Sequence, residues 1–231
     1  MGTYVLVHGA YQGGWIWKLV ANRFEDAGRR VLRPTLDGCA ERRGNLRPGI
    51  TTESHAAEVA DLLFYEDLTD VTLVGTSSGG MVVCRAAELA RERIGRLVFV
   101  DALALDDGER ISDFVDRPAG TTTDLATGPS PEDVETRLFG GLEPELRQWA
   151  IDRFTLHPRA VMEEPVRLDG FWSSSWSAQV IRCRRSLNPP EDHQRRAADR
   201  LGASWAELDT GHYPMLSTPD ELTQLLLASE P

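Results

Sequence analysis

The sequence predicts an α/β protein: a mostly parallel sheet flanked by helices, with a small helical cap. Three observations carry this expectation. Short apolar runs that stop near glycine or proline alternate with stretches of helical spacing. The alternation breaks once, in the middle of the chain, where no strand pattern is found. The pentapeptide Gly75-Thr76-Ser77-Ser78-Gly79 stands directly between a strand pattern and a helix pattern. The 231 residues suit one domain, 1–231, with the cap inserted at approximately 107–175.

Taken in order, Tyr4-Val-Leu-Val7 reads as a buried strand. Trp15 to Gly28 has helical spacing, with Gly28 placed to end the helix. Val31-Leu32, running into Pro34, is a second short strand. Thr52 to Leu63 is an amphipathic helix that Thr51 or Thr52 can cap. Val71 to Val74 is a third strand, Met81 to Arg93 a helix, and Arg96 to Val100 a fourth strand. From Asp106 to Phe171 no strand is expected. Residues 118–131, rich in Gly, Thr and Pro, read as a loop, and Pro131 to Phe139 and Glu143 to Phe154 as cap helices. Gln179 to Cys183 resumes the sheet, His193 to Leu201 is a helix, and Ser204 to Leu208 is a sixth strand. Pro219 to Ala228 closes the chain as a helix behind Thr218.

Composition narrows the partners. A net charge of −11 argues against nucleic acid, because an acidic surface repels phosphate. No run approaches the roughly 18 apolar residues of a membrane span, and Thr3 to Val7 is too short for a secretory h-region. A cytoplasmic location is the expectation, and a homodimer stays open. Cys39, Cys84 and Cys183 are too widely spaced for a metal motif or a disulfide framework. Cys84 and Cys183 read as core thiols. No metal and no cofactor are expected.

The chemistry concentrates at Gly75 to Gly79. In a G-x-S-x-G turn between strand and helix, side chains at 75 and 79 would collide with their neighbours. The turn lifts the central hydroxyl, that of Ser77, out of the sheet as a nucleophile. Ser78 follows it, so its backbone N–H faces the place where an oxyanion would form, assisted by the start of the next helix. The loop His8-Gly9-Ala10 after the first strand can supply a second donor, the N–H of Ala10, while His8 holds the loop. His212, late in the chain and before the last helix, is the base that takes the Ser77 proton. His55 and His193 read as surface residues. His157, in the cap, is a candidate to touch substrate.

Together these segments resemble the α/β-hydrolase superfamily, and more narrowly its plant methyl esterase and hydroxynitrile lyase-like branch. The resemblance rests on Val5 to Ala10 with Trp15 and Trp17, on Gly75 to Met81, and on Gly211-His212-Tyr213-Pro214-Met215-Leu216. It implies hydrolysis of esters, thioesters or lactones without a cofactor. It also exposes a departure. The family's usual acid follows the strand at Gln179–Cys183, and the matching position holds Ser186. Asp101, at the end of the Leu97–Val100 strand, is the alternative acid, since both strand ends open on one edge. Glu191 and Asp192 are fallbacks, and a dyad without an acid is a further alternative.

The resulting expectation is a hydrolase of small or medium apolar esters or lactones. Ser77, His212 and Asp101 form the triad, and Ala10 and Ser78 the oxyanion hole. Trp15, Trp149, Phe171 and Trp172 would contact substrate, with Phe139, Phe154 and Trp176 completing an apolar pocket. Phe171 and Trp172 are equally candidates for the core. A cyclase or dehydratase acting on a polyketide-like substrate is the rival on the same scaffold. A hydroxynitrile lyase is disfavoured, because those relatives carry lysine and threonine where this chain has Tyr213 and Ala10. A binding protein without catalysis is disfavoured by the intact Ser77 and His212.

Overall fold

The computed structural model describes residues 2–115 and 120–228. The chain runs through β1 (Thr3–Val7), α1 (Lys18–Asp26), β2 (Arg30–Leu32), α2 (Thr52–Tyr65), β3 (Val71–Ser77), α3 (Gly79–Leu89) and β4 (Ile94–Ala102). It then leaves the sheet for β5 (Thr121–Thr122), β6 (Ala126–Gly128), α4 (Pro131–Asp133), α5 (Pro144–Ile151), β7 (His157–Pro158) and α6 (Arg159–Glu163). It returns with β8 (Ala178–Cys183), α7 (Glu191–Leu201), β9 (Ser204–Leu208), α8 (Pro214–Ser217) and α9 (Pro219–Ala228).

Six strands form one parallel sheet in the order β2-β1-β3-β4-β8-β9. Successive residues of each strand face opposite sides, and both sides are apolar, as a parallel sheet covered by helices demands. Val5, Val7, Leu73, Leu97 and Phe99 join Ala56 and Val59 of α2 and Ala197 of α7 in one core. Tyr4, Leu6, Val74, Val98 and Val100 join Val20 and Phe24 of α1 and Leu222 and Leu226 of α9 in the other. The predicted strands are all present, and α2 begins as expected, with Thr51 and Ser54 capping each other's backbone N–H groups. Among the described residues, no helix is long and apolar enough to cross a membrane. All three cysteines are buried and free.

Between β4 and β8 the structure corrects the expectation of a strand-free segment. β5, β6 and β7 form a small antiparallel sheet, pairing Thr122 with Thr127 and Thr127 with His157. Strands of two or three residues are too short to show alternation, and β7 pairs across a long sequence separation. Helix remains, but shorter than expected. Ser130 caps α4, a π-helical turn covers Val134–Leu138, and α5 ends at Ile151. Residues 118–119 of the expected loop lie outside the described residues.

Two histidines expected at the surface are buried instead. The ring of His55 donates from Nε2 to the Asp37 carbonyl at 2.9 Å, and His193 Nε2 accepts the Ala104 N–H at 3.1 Å. Each satisfies a main-chain group of a neighbouring loop, a demand that polar neighbours along the helix do not reveal. Burial, helped by the nearby Arg196, pulls His193 down to about 4.

Candidate active site

The sheet order places the ends of β1, β3 and β4 side by side at the carboxyl edge, with β1 at the point where the chain changes direction. Ser77 ends β3 with φ 52°. That left-handed backbone costs a non-glycine residue about 1–3 kcal/mol, and the packing around the turn enforces it. A Cβ on Gly79 would lie 2.5 Å from the His8 carbonyl oxygen, and one on Gly75 would lie 2.8 Å from a Val83 methyl. Only glycine at both places lets α3 start this close to β1 and β3.

Asp101 has its own distortion. Thr76 pairs with Val100 and Ser77 with Ala102, so Asp101 is the extra residue of a bulge, at φ 45°. A bulge re-aims one side chain without breaking the sheet. Here the carboxylate is fully buried and accepts from three donors: His212 Nδ1 at 2.6 Å, Gln194 Nε2 at 2.9 Å and the Cys183 N–H at 3.3 Å. Three donors offset the desolvation of a charge that would otherwise be costly. His212 stands in the loop between β9 and α8, about one-fifth exposed. With Nδ1 bound to a carboxylate, the ring carries its proton there and leaves Nε2 as a lone-pair base.

The loop after β1 is tied from beneath. His8 Nε2 accepts the Leu36 N–H at 3.0 Å, and its Nδ1 donates to the Gly9 carbonyl at 2.8 Å. Burial lowers the His8 pKa to about 4, so the ring stays neutral and keeps its acceptor. Tyr11, at φ 69°, is held at both main-chain groups: its N–H reaches His157 Nδ1 and its carbonyl accepts the Thr155 N–H.

Ser77, Ser78, Ala10 and His212 all line a cavity of about 470 Å³. Its apolar wall comes from Leu103, Ile111, Leu138, Leu142 and Met162. Arg137 and Arg185 also line it, and no carboxylate is found among the described lining residues. Tyr213, next to His212, lines the cavity too, and burial raises its phenol well above the usual range. Among the described residues, no cluster of His, Cys, Asp or Glu is arranged to hold a metal ion.

The model of the alpha/beta hydrolase family matches residues 4–225, nearly the whole chain. The chain belongs to the α/β hydrolase family. Similar members include the carbendazim hydrolyzing esterase of Nocardioides sp. strain SG-4G, 29% identical over 99% of this chain and 99% of that protein. Salicylic acid-binding protein 2 of Nicotiana tabacum is 28% identical over 97% of this chain and 95% of its own length. Among solved structures, an extracellular α/β-hydrolase from a Paenibacillus species superposes with a TM-score of 0.83 at 22% identity, covering 99% of both chains. That likeness concerns the fold.

Within this family site, the structure sorts the expected residues. Ser77, His212, Ala10 and Ser78 meet at the cavity, and Asp101 binds His212 from behind. Ser186 also lines the cavity but donates to the Asn188 carbonyl within its own turn. Glu191 and Asp192 stand on α7, where Glu191 pairs with Arg182 and Asp192 accepts its neighbour's N–H.

Four expected substrate contacts, Trp15, Trp149, Phe171 and Trp172, are not among the residues that line this cavity. Trp15 and Trp149 pack edge to face against each other, 5.3 Å apart. Phe171 is fully buried against Trp172 and Trp176, and the Trp172 ring donates to the Leu105 carbonyl. Large aromatic side chains gain more by packing against one another than by lining an open cavity. Phe139 likewise belongs to the core. His157 is buried under the Tyr11 loop and does not line the cavity. Sequence reasoning missed Gln194, Arg137 and Tyr213. Only Tyr213 had a signal, its place directly after His212.

Proposed function

We propose that the protein is a carboxylic ester hydrolase that cleaves small or medium esters, lactones included, through an acyl-enzyme on Ser77. The Asp101–His212 hydrogen bond of 2.6 Å, behind a cavity that Ser77 lines, carries this reading. Ser77 Oγ attacks the substrate carbonyl and passes its proton to His212 Nε2. Asp101 stabilises the imidazolium that forms, and the N–H groups of Ala10 and Ser78 hold the oxyanion. The tetrahedral adduct collapses as His212 returns the proton to the leaving alkoxide. Water, deprotonated by His212, then attacks the acyl-enzyme and releases the acid and free Ser77.

The esterase names among its relatives support the same reaction class. A cavity of about 470 Å³ suits ligands of modest size. Its arginines favour neutral or anionic esters over cationic ones. The test is a panel of p-nitrophenyl and methyl esters and simple lactones. Wild type should turn over members of this panel and Ser77→Ala should lose at least about a thousandfold. Equal rates for the two proteins would refute the reading.

A further inference from the structure

Asp101 has two carboxylate oxygens, and His212 occupies one. The other accepts from Gln194 Nε2 at 2.9 Å and from the Cys183 N–H at 3.3 Å. Gln194 stands in the first turn of α7 and is 1% exposed. Its surroundings fix which way the amide faces. The same Nε2 lies 3.0 Å from the Pro189 carbonyl, and both neighbours can only accept. The –NH2 end must face them, and Oε1 is left buried without a partner. An unpaired buried acceptor destabilises a fold, and an apolar side chain of similar size would avoid it. The amide is therefore retained against a local cost, and the group it serves is the acid.

We propose that Gln194 is a positioning residue for the proton transfer: its amide holds the Asp101 carboxylate in the orientation that meets His212 Nδ1. This rests on the triad reading of Ser77, His212 and Asp101. It also accounts for how an acid at the end of β4 functions in a family whose usual position holds Ser186 here. The family position is reached from the β8 loop; at the β4 end the carboxylate is buried under α7, and α7 must supply a donor. The other titratable groups facing Asp101 are the Cys183 thiol on β8 and the Tyr213 phenol beside His212. Burial keeps both protonated, so neither competes as a charge.

Without the amide donor, the Asp101 carboxylate is free to turn away from His212 Nδ1, and the proton relay loses its orientation. In Gln194→Leu kcat therefore falls about tenfold for the loss of one charge-assisted hydrogen bond, while KM changes little. Gln194→Glu keeps the shape but sets a second carboxyl group against Asp101, and lowers kcat further.

The experiment measures kcat/KM for a p-nitrophenyl ester, and the rate of fluorophosphonate labelling, from pH 5 to 9. It compares wild type, Gln194→Leu and Gln194→Glu, with thermal unfolding of each. A kcat that falls more than KM rises in both variants, with labelling slowed in step across the pH range, supports the proposal. Folded variants whose kcat, KM and labelling rate equal those of wild type overturn it, whatever their thermal midpoints. If Gln194→Leu does not fold, the isosteric Gln194→Glu decides alone. A wild type that neither turns over ester nor labels would instead overturn the triad reading.

Discussion

The carboxyl edge of the sheet and the segment between β4 and β8 are built by different rules. At the edge, Ser77 and Asp101 hang from strand ends whose backbone is over-determined. Ser77 and Asp101 both sit in left-handed conformations, and Asp101 has three donors. The intervening segment packs two- and three-residue strands and short helices over that edge, and it supplies much of the cavity wall. In the proposed function, the first region carries the reaction and the second selects what enters. A rigid edge beneath a variable cover lets one scaffold serve many substrates.

This contrast can be broken at graded strength. The largest effect is expected at the acid. Asp101→Asn should lower kcat about 10³–10⁴-fold, while Ser186→Ala stays within about threefold. Steady-state kinetics of the two variants check it, and the reverse ranking would return the acid to the β8 loop.

A middle-sized effect concerns stability beneath the edge. His8 and His193 have folded pKa values near 4, against 6.5 in the unfolded chain. Their neutral forms are favoured by the fold, so their contribution is present above about pH 6.5 and is lost as pH falls toward 4. Between pH 7 and pH 5 each should cost about 2 kcal/mol of unfolding free energy. Urea titrations at the two pH values test this, and His193→Gln should remove about half of the drop.

The smallest effect lies in the cover. Arg137→Gln should reduce the preference for a hemiester bearing a free carboxylate over its neutral analogue by only a few-fold, because the side chain is partly solvated and already paired with Asp133. Competition between the two esters measures it; an unchanged ratio would remove Arg137 from substrate selection.

The same contrast explains what could be read from the sequence. Tyr4–Val7, Val71–Val74 and Leu97–Val100 are apolar runs bounded by glycine or a polar residue, and a buried parallel strand leaves that local signature. Gly75, Ser77 and Gly79 were legible because their spacing is itself a five-residue pattern, although the contact that requires glycine at 79 is with His8 on the neighbouring β1 loop. Asp101 was legible because a carboxylate just past an apolar strand needs a partner. Gln194 was not, because its role depends on α7 lying against β4, 93 residues away along the chain. β5–β7 carry no alternation, and the tryptophans Trp15 and Trp149 look the same in sequence whether they face a core or a cavity.

The most direct measurement is covalent labelling of wild type, Ser77→Ala and Asp101→Asn with a fluorophosphonate probe, followed by peptide mapping. A single adduct on Ser77 in wild type, none in Ser77→Ala and strongly slowed labelling in Asp101→Asn is the predicted result. Folded wild-type protein that stays unlabelled, or that carries the adduct on another residue, would contradict the account.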